Sequence, residues 1–233
     1  MNPIVFLHGV GTGAKAWTPQ IEYFWPHYEV VAPDLPGFGE NQGEFSFARA
    51  LSDLEVVVHD VNRRVIVVGL SLGALVALRF ALSHSETVAG LVTVAGFASL
   101  PEEIRVQQRG LAEELERMPS DAGAAVSEQL CAQVPEIYRD DARKALRGFT
   151  PLGFAQLFRE VAEFDVRDQC APFKKPTLVV WGDDDALNAP LCRDLSERLV
   201  NATTRTIPTA GHVVNLDAPD AFNAVLEEFF STL

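Results

Sequence analysis

The sequence is short of cysteine, short of positive charge and without a long apolar run. Its three cysteines, Cys131, Cys170 and Cys192, are scattered and have no C-x-x-C spacing. That excludes a disulfide framework and a thiolate zinc cage, and leaves free thiols packed as small hydrophobes in a reducing compartment. Lys and Arg number 19 against 32 Asp and Glu, a net charge of −13. A chain so poor in cations is a bad partner for nucleic acid phosphates or for an anionic membrane surface. The most apolar stretch, Val65 to Leu78, spans 14 residues and is broken by Gly69, Ser71 and Gly73. A bilayer-spanning helix needs about 20. Met1-Asn2-Pro3 has no basic leader character, so no signal peptide and a cytoplasmic location are expected. Gly9-Val10-Gly11-Thr12-Gly13 approaches a dinucleotide fingerprint without matching it, and Asp183, Asp184 and Asp185 lack histidines at ligand spacing. No cofactor and no metal are expected.

What is present is ordinary globular material, 48% hydrophobic and 22% charged over 233 residues. This is enough for one large domain or a core with an insertion. Short β-branched runs recur at Ile4–Leu7, Tyr28–Ala32, Val65–Gly69, Leu91–Ala95, Thr177–Trp181 and Thr203–Ile207. Most lack polar alternation, as strands buried on both faces do. Helical patterns lie between them: Ser46–Val61 with Ser46 as N-cap, Leu72–Leu82 apolar nearly all round, and Ala221–Phe230. The alternation predicts an α/β fold with a mostly parallel sheet flanked by helices. Between Phe97 and Pro172 no strand-like run appears. Helices are expected near Pro101–Met118, Ser120–Val134, Arg139–Leu146 and Leu152–Phe164. The division expected is therefore a core of residues 1–96 and 173–233 and a helical cap of residues 97–172. Such a cap lies above the carboxyl ends of the strands, where open α/β sheets bind ligands. Phe149, Phe154 and Phe158 within it are read as packing. Arg139, Arg143 and Arg147 recur every four residues and are expected on one helix face, with Lys144 adjacent, paired with Glu136 and Asp140. The competing reading of that face is a basic stripe for an acidic carrier protein or a carboxylate-bearing substrate.

The strongest chemical signal is Gly69-Leu70-Ser71-Leu72-Gly73, a G-x-S-x-G between a β-branched run and an apolar helix. In that context a serine sits on a sharp strained turn and presents its hydroxyl at a helix N-terminus. Serine needs a base. His27, His59 and His84 lie among polar residues. His8 sits on a strand beside a glycine turn, which suits a structural role. His212, in Thr209-Ala210-Gly211-His212-Val213 after the last strand, is the favoured base. The base needs an orienting carboxylate, and Asp183-Asp184-Asp185 follows a strand directly. For the oxyanion, the backbone N–H groups of Leu72 and Val10 are candidates.

These stretches resemble the α/β-hydrolase superfamily over nearly the whole chain: Phe6 to Gly11, Val31 to Gly39, Gly69 to Gly73, Leu178 to Asp185, and Gly211-His212. The resemblance implies an α/β-hydrolase fold with the cap inserted after the sixth family strand. It assigns the acid to Asp185, three residues past Gly182, since the alternative strand end at Val94-Ala95-Gly96-Phe97 has no carboxylate. It also implies that the two leading strands of the family are missing ahead of the His8-Gly9 strand. Within the superfamily the chain is similar to small cap-bearing carboxylesterases, including pimeloyl-carrier-protein methyl ester esterases and 3-oxoadipate enol-lactonases. The expected function is a serine hydrolase of a small carboxylic ester or lactone acting through an acyl-enzyme. An acyl carrier protein is a further partner to consider. The alternatives are a C–C bond hydrolase using the same triad and a small-molecule receptor on a hydrolase fold.

Overall fold

The computed structural model describes residues 1–233. Its centre is a six-stranded, all-parallel sheet in the order β2-β1-β3-β4-β5-β6. The strands are β1 (Ile4–Leu7), β2 (Val30–Val31), β3 (Val65–Leu70), β4 (Val88–Val94), β5 (Thr177–Gly182) and β6 (Ala202–Ile207). The inner strands β1, β3 and β5 are buried at every position, as near-continuous Val, Ile and Leu runs require when both faces are covered. The edges depart from the expected pattern. β2 shrinks to two half-buried residues, pairing Val30 with Ile4 and Val31 with Val5. Pro33, two residues past its end, cannot donate to a ladder. At the other edge β6 carries Thr203, Thr204, Arg205 and Thr206 exposed.

Helices cover both faces. In the first half they are α1 (Thr18–Phe24), α2 (Phe47–Val61) and α3 (Leu72–Ser83). Ser46 caps α2 by accepting the Arg49 N–H at 3.2 Å, as Ser does at an N-cap. Nine of the twelve residues of α3 are buried, so this helix is a core element around which the sheet packs.

Between β4 and β5 there is no strand; the α-helices there are α4 (Glu102–Glu116), α5 (Gly123–Cys131), α6 (Arg139–Ala145), α7 (Pro151–Ala162) and α8 (Arg167–Cys170), with short 3-10 turns at Ser120–Ala122 and Glu136–Tyr138. The segment is pinned at its base. Val166 N–H donates to Ala98 at 2.9 Å, beside an antiparallel bridge between Ser99 and Asp165. The chain thus leaves the sheet and returns to it at one point. α6 ends at Ala145, so Arg147 does not share a helix face with Arg139 and Arg143. The reason is Gly148, at φ +91°, followed by the N-capping Thr150 and by Pro151; a left-handed glycine ends a helix and a proline starts the next. Arg143 pairs with Glu128 and Asp140, and Arg139 donates to the carbonyls of Val134 and Ala132. Phe149 stacks on buried Phe154 at 4.4 Å, so both pack as expected.

After β5 come α9 (Ala189–Arg198), α10 (Val214–Asp217) and α11 (Pro219–Phe230). No helix is long and apolar enough to cross a membrane. Cys131, Cys170 and Cys192 are all buried and unpaired.

Candidate active site

Ser71 follows β3 directly and stands at the N-terminus of α3 with φ +53° and ψ −115°. A non-glycine residue there is strained, and such strain concentrates where function holds it. Two glycines make the turn possible. A Cβ on Gly69 would collide with the carbonyl oxygen of Gly73, and a Cβ on Gly73 with the carbonyl oxygen of Leu7. The helix is thereby drawn against the ends of β1 and β3. The same tightness brings the His8-Gly9-Val10 turn beside the serine: a Cβ on Gly9 would lie 3.2 Å from Ser71 Cβ.

The backbone N–H of Ser71 is spent on the carbonyl of Val94 at 2.8 Å. The next N–H, that of Leu72, opens α3 and has no intrahelical acceptor within reach. The N–H of Val10 makes no hydrogen bond within the protein. Two residues with free N–H donors, Leu72 and Val10, therefore border the cavity that Ser71 lines.

His8 is fully buried, and both ring nitrogens are engaged. Nε2 accepts the Leu35 N–H at 2.9 Å and Nδ1 donates to the Gly9 carbonyl at 2.9 Å. Burial pushes its pKa below the ordinary histidine value, against the opposing pull of the Gly9 carbonyl and Asp34. A neutral ring wired between β1 and the 34–39 loop matches the structural role read from the sequence.

The loop after β5 is clamped to the loop after β6. The N–H of Asp183 donates to Ile207 and that of Asp184 to Ala210, each at 3.0 Å. A Cβ on Gly182 would strike the Ala210 carbonyl. This clamp aims the two loops at each other, and His212 Nδ1 meets Asp185 Oδ2 at 2.9 Å. Asp185 is 7% exposed, while Asp183 and Asp184 face solvent. Burial raises the Asp185 pKa, but hydrogen bonds from His212 and Asn188 outweigh it and hold the carboxyl below its usual value. Burial also pushes the neighbouring Cys192 thiol up to about 12, so it stays neutral.

Ser71, His212, Asp185, Val10 and Leu72 all line one cavity of about 450 Å³ at the carboxyl ends of the strands. Its far wall comes from the helical segment, through Leu100, Ile104, Gln108 and Leu111, and through Leu157 and Phe158. Of 20 lining residues 14 are hydrophobic, and none is Lys or Arg. Phe158, read from the sequence as packing, is thus a wall of the cavity. Two residues escaped the sequence reading. Asn188 donates through Nδ2 to both oxygens of Asp185, at 2.8 and 3.0 Å. Gln108 interrupts the apolar stripe of α4, and its buried Oε1 has no hydrogen-bond partner. A polar residue in an apolar helical stripe was the available signal for Gln108.

A parallel sheet, a glycine-tightened serine turn after its third strand and a pocket over the strand ends define a hydrolase of the α/β class. A model of the alpha/beta hydrolase family matches residues 4–225, and the chain belongs to that family. It is 33% identical to a pimeloyl-[acyl-carrier protein] methyl ester esterase of Pectobacterium carotovorum subsp. carotovorum, over 94% of this chain and 90% of the relative. It is 25% identical to the (E)-2-((N-methylformamido)methylene)succinate hydrolase of Acinetobacter baylyi, over 99% of this chain and 91% of that one. Among solved structures it is similar to a thermophilic esterase from Thermogutta terrifontis, with TM-score 0.83 and 24% identity, covering 100% of this chain and 90% of that one.

Proposed function

We propose that the protein is a serine hydrolase that cleaves a small carboxylic ester or lactone through an acyl-enzyme. Ser71 attacks the carbonyl carbon. His212 takes the hydroxyl proton on Nε2 and returns it to the leaving oxygen. Asp185 accepts the Nδ1 hydrogen, holds that tautomer and stabilises the imidazolium. The N–H groups of Leu72 and Val10 receive the oxyanion, each contributing about 3 kcal/mol if aimed at it. Water, activated by His212, then releases the acid. The observation that carries this reading is the Asp185–His212 pair at 2.9 Å lining the same cavity as a serine held at φ +53°. The triad also argues against a pure receptor, which has no use for all three groups.

The helical segment 97–172 serves as a cap that walls the acyl site. With no Lys or Arg on the walls, a free carboxylate on the acyl group would be buried without a counter-charge, at a cost of several kcal/mol. The acyl group is therefore uncharged and largely apolar. Gln108 offers one polar contact along it. The same argument disfavours a succinate-like substrate.

A carrier-linked methyl ester is a second reading, supported by the identity to the Pectobacterium esterase. An acidic carrier would have to draw Arg139, Arg143 and Lys144 away from their present partners. The three unpaired buried cysteines fit a reducing compartment such as the cytoplasm.

A panel of p-nitrophenyl esters, lactones, acyl thioesters and free against carrier-linked methyl esters tests this reading. Turnover of uncharged short and medium acyl esters, lost in Ser71→Ala, supports it. Activity retained in Ser71→Ala overturns it. An Arg143→Glu change that lowers kcat/KM at low salt for the carrier-linked ester alone selects the second reading.

A further inference from the structure

Asn188 stands at the residue before α9, the place where an asparagine ordinarily turns its side chain onto the helix N–H groups. Here it makes no such cap. Its Nδ2 instead donates to Asp185 Oδ1 at 2.8 Å and Oδ2 at 3.0 Å, and its backbone N–H reaches Oδ1 at 3.3 Å. Its backbone is helical, at φ −91° and ψ −21°, and not in the extended conformation from which a side chain caps, so the amide is left to engage another group. Asp185 Oδ2 also accepts from His212 Nδ1 at 2.9 Å, which leaves Asn188 Nδ2 and His212 Nδ1 only 3.2 Å apart. Both are donors, and neither bonds the other. They lie side by side because they converge on the same oxygen.

We infer that Asn188 is a positioning residue that fixes the Asp185 carboxylate and sets how strongly it acts on His212. This rests on the triad reading above. The geometry has two consequences. First, a carboxylate held only by His212 and the long 3.3 Å backbone contact could turn more freely about its Cβ–Cγ bond; the amide bonded across both oxygens restrains it. Second, each hydrogen bond from Asn188 stabilises charge on the carboxylate that would otherwise be directed at the imidazole. The charge available to the protonated ring is thereby limited, and the base returns its proton more readily.

The groups facing His212 are few. Asp185 comes from the loop after β5. Asp217, from α10, accepts the Gly211 N–H at 2.9 Å, and burial holds its pKa above the usual value. Cys192, from α9, is a neutral thiol beside Asp185. No Lys or Arg lines the cavity. Removing the Asn188 amide therefore leaves Asp185 as the dominant nearby charge, now less shared. The protonated imidazole gains, and the acid limb of activity moves to higher pH.

The experiment is the pH dependence of kcat/KM on one p-nitrophenyl ester for the full-length protein, Asn188→Leu and Asn188→Asp, with melting temperature measured in parallel. Asn188→Leu keeps the volume without the donors. It should lower kcat by roughly tenfold and raise the pH midpoint of the acid limb. Asn188→Asp places a second carboxylate against Asp185 and should move that limb further in the same direction. Asn188→Gln, which restores a donor on a longer stem, should recover part of both effects. A merely structural asparagine would lower activity and melting temperature while leaving the midpoint in place, and that result overturns the inference. Failure of the triad reading looks different: the unaltered protein would show no acid limb and Ser71→Ala would retain turnover, which removes the inference together with its basis. If Asn188→Leu does not fold, the Asp and Gln variants decide the matter by the same midpoint.

Discussion

Replacing Asp185 by asparagine keeps the shape of the side chain and removes its charge. Four hydrogen-bonding contacts converge on this carboxylate: His212 Nδ1 at 2.9 Å, Asn188 Nδ2 at 2.8 and 3.0 Å, and the Asn188 N–H at 3.3 Å. A carboxylate accepts all of them. An amide has one accepting oxygen and one donating NH₂. If the oxygen turns to Asn188, the new NH₂ faces His212 Nδ1. The ring must then accept there, so its proton moves to Nε2, where it cannot receive the proton of Ser71. If the oxygen turns to His212, the NH₂ confronts the Asn188 donors, and a buried donor is left unmet at about 1–3 kcal/mol. Both arrangements also lose the charge that stabilises the imidazolium. Together these predict a fall in kcat of roughly 10²–10⁴, equivalent to about 2.7–5.5 kcal/mol of transition-state stabilisation. Asp183→Asn and Asp184→Asn, whose side chains meet solvent, should stay within about tenfold. The assay is single-substrate turnover at one pH, with thermal melts to compare only folded protein. An Asp185→Asn variant within tenfold of the unaltered enzyme would refute the reasoning, and a severe Asp184→Asn would move the acid by one residue.

Further outcomes follow from the packing around the site. Gly73→Ala places a methyl group on the Leu7 carbonyl and should destabilise the fold by about 3 kcal/mol or more, read from urea unfolding; an unchanged midpoint would contradict the close packing. His8 is buried and neutral with a lowered pKa, so the unfolded chain binds a proton there that the folded one refuses. Its contribution is full above the unfolded value of ~6.5 and is lost as pH falls below it, at up to about 1.4 kcal/mol per pH unit; the slope should flatten in His8→Asn, and an equal slope in both would be the contrary result. Gln108→Leu should raise kcat/KM for plain alkyl esters and lower it for esters carrying a hydroxyl or second ester on the acyl chain. A parallel change for both would remove Gln108 from substrate selection.

Much of this arrangement was legible in the sequence because single residues carried it. The G-x-S-x-G turn can be read from spacing, since only glycine survives the contacts at positions 69 and 73. The inner strands could be read from their unbroken apolar runs. His8 lies one residue past the end of β1 and not on the strand; what sets it apart from His212 in the structure is that both its ring nitrogens are taken up by the Leu35 N–H and the Gly9 carbonyl. The features that stayed hidden depend on tertiary geometry. Asn188 looks like an ordinary helix cap, and its side chain turns to Asp185 only because the loops after β5 and β6 are clamped together. Arg147 kept a four-residue spacing past the point where Gly148 ends α6. The shrinkage of β2 reflects its place at the sheet edge, which no local pattern announces. Phe158 lies one turn beyond Phe154 on nearly the same face of α7, and only where the cavity opens along that face decides which of the two lines it.

The proposed chemistry turns on Ser71 being a nucleophile activated within this cavity. Treatment with a fluorophosphonate, followed by peptide mass mapping, tests it most directly. One covalent adduct should form on Ser71, at a rate that falls on acidification and is sharply reduced in His212→Ala, and none in Ser71→Ala. A protein that stays unlabelled while folded, or that carries the adduct on another residue, would contradict it.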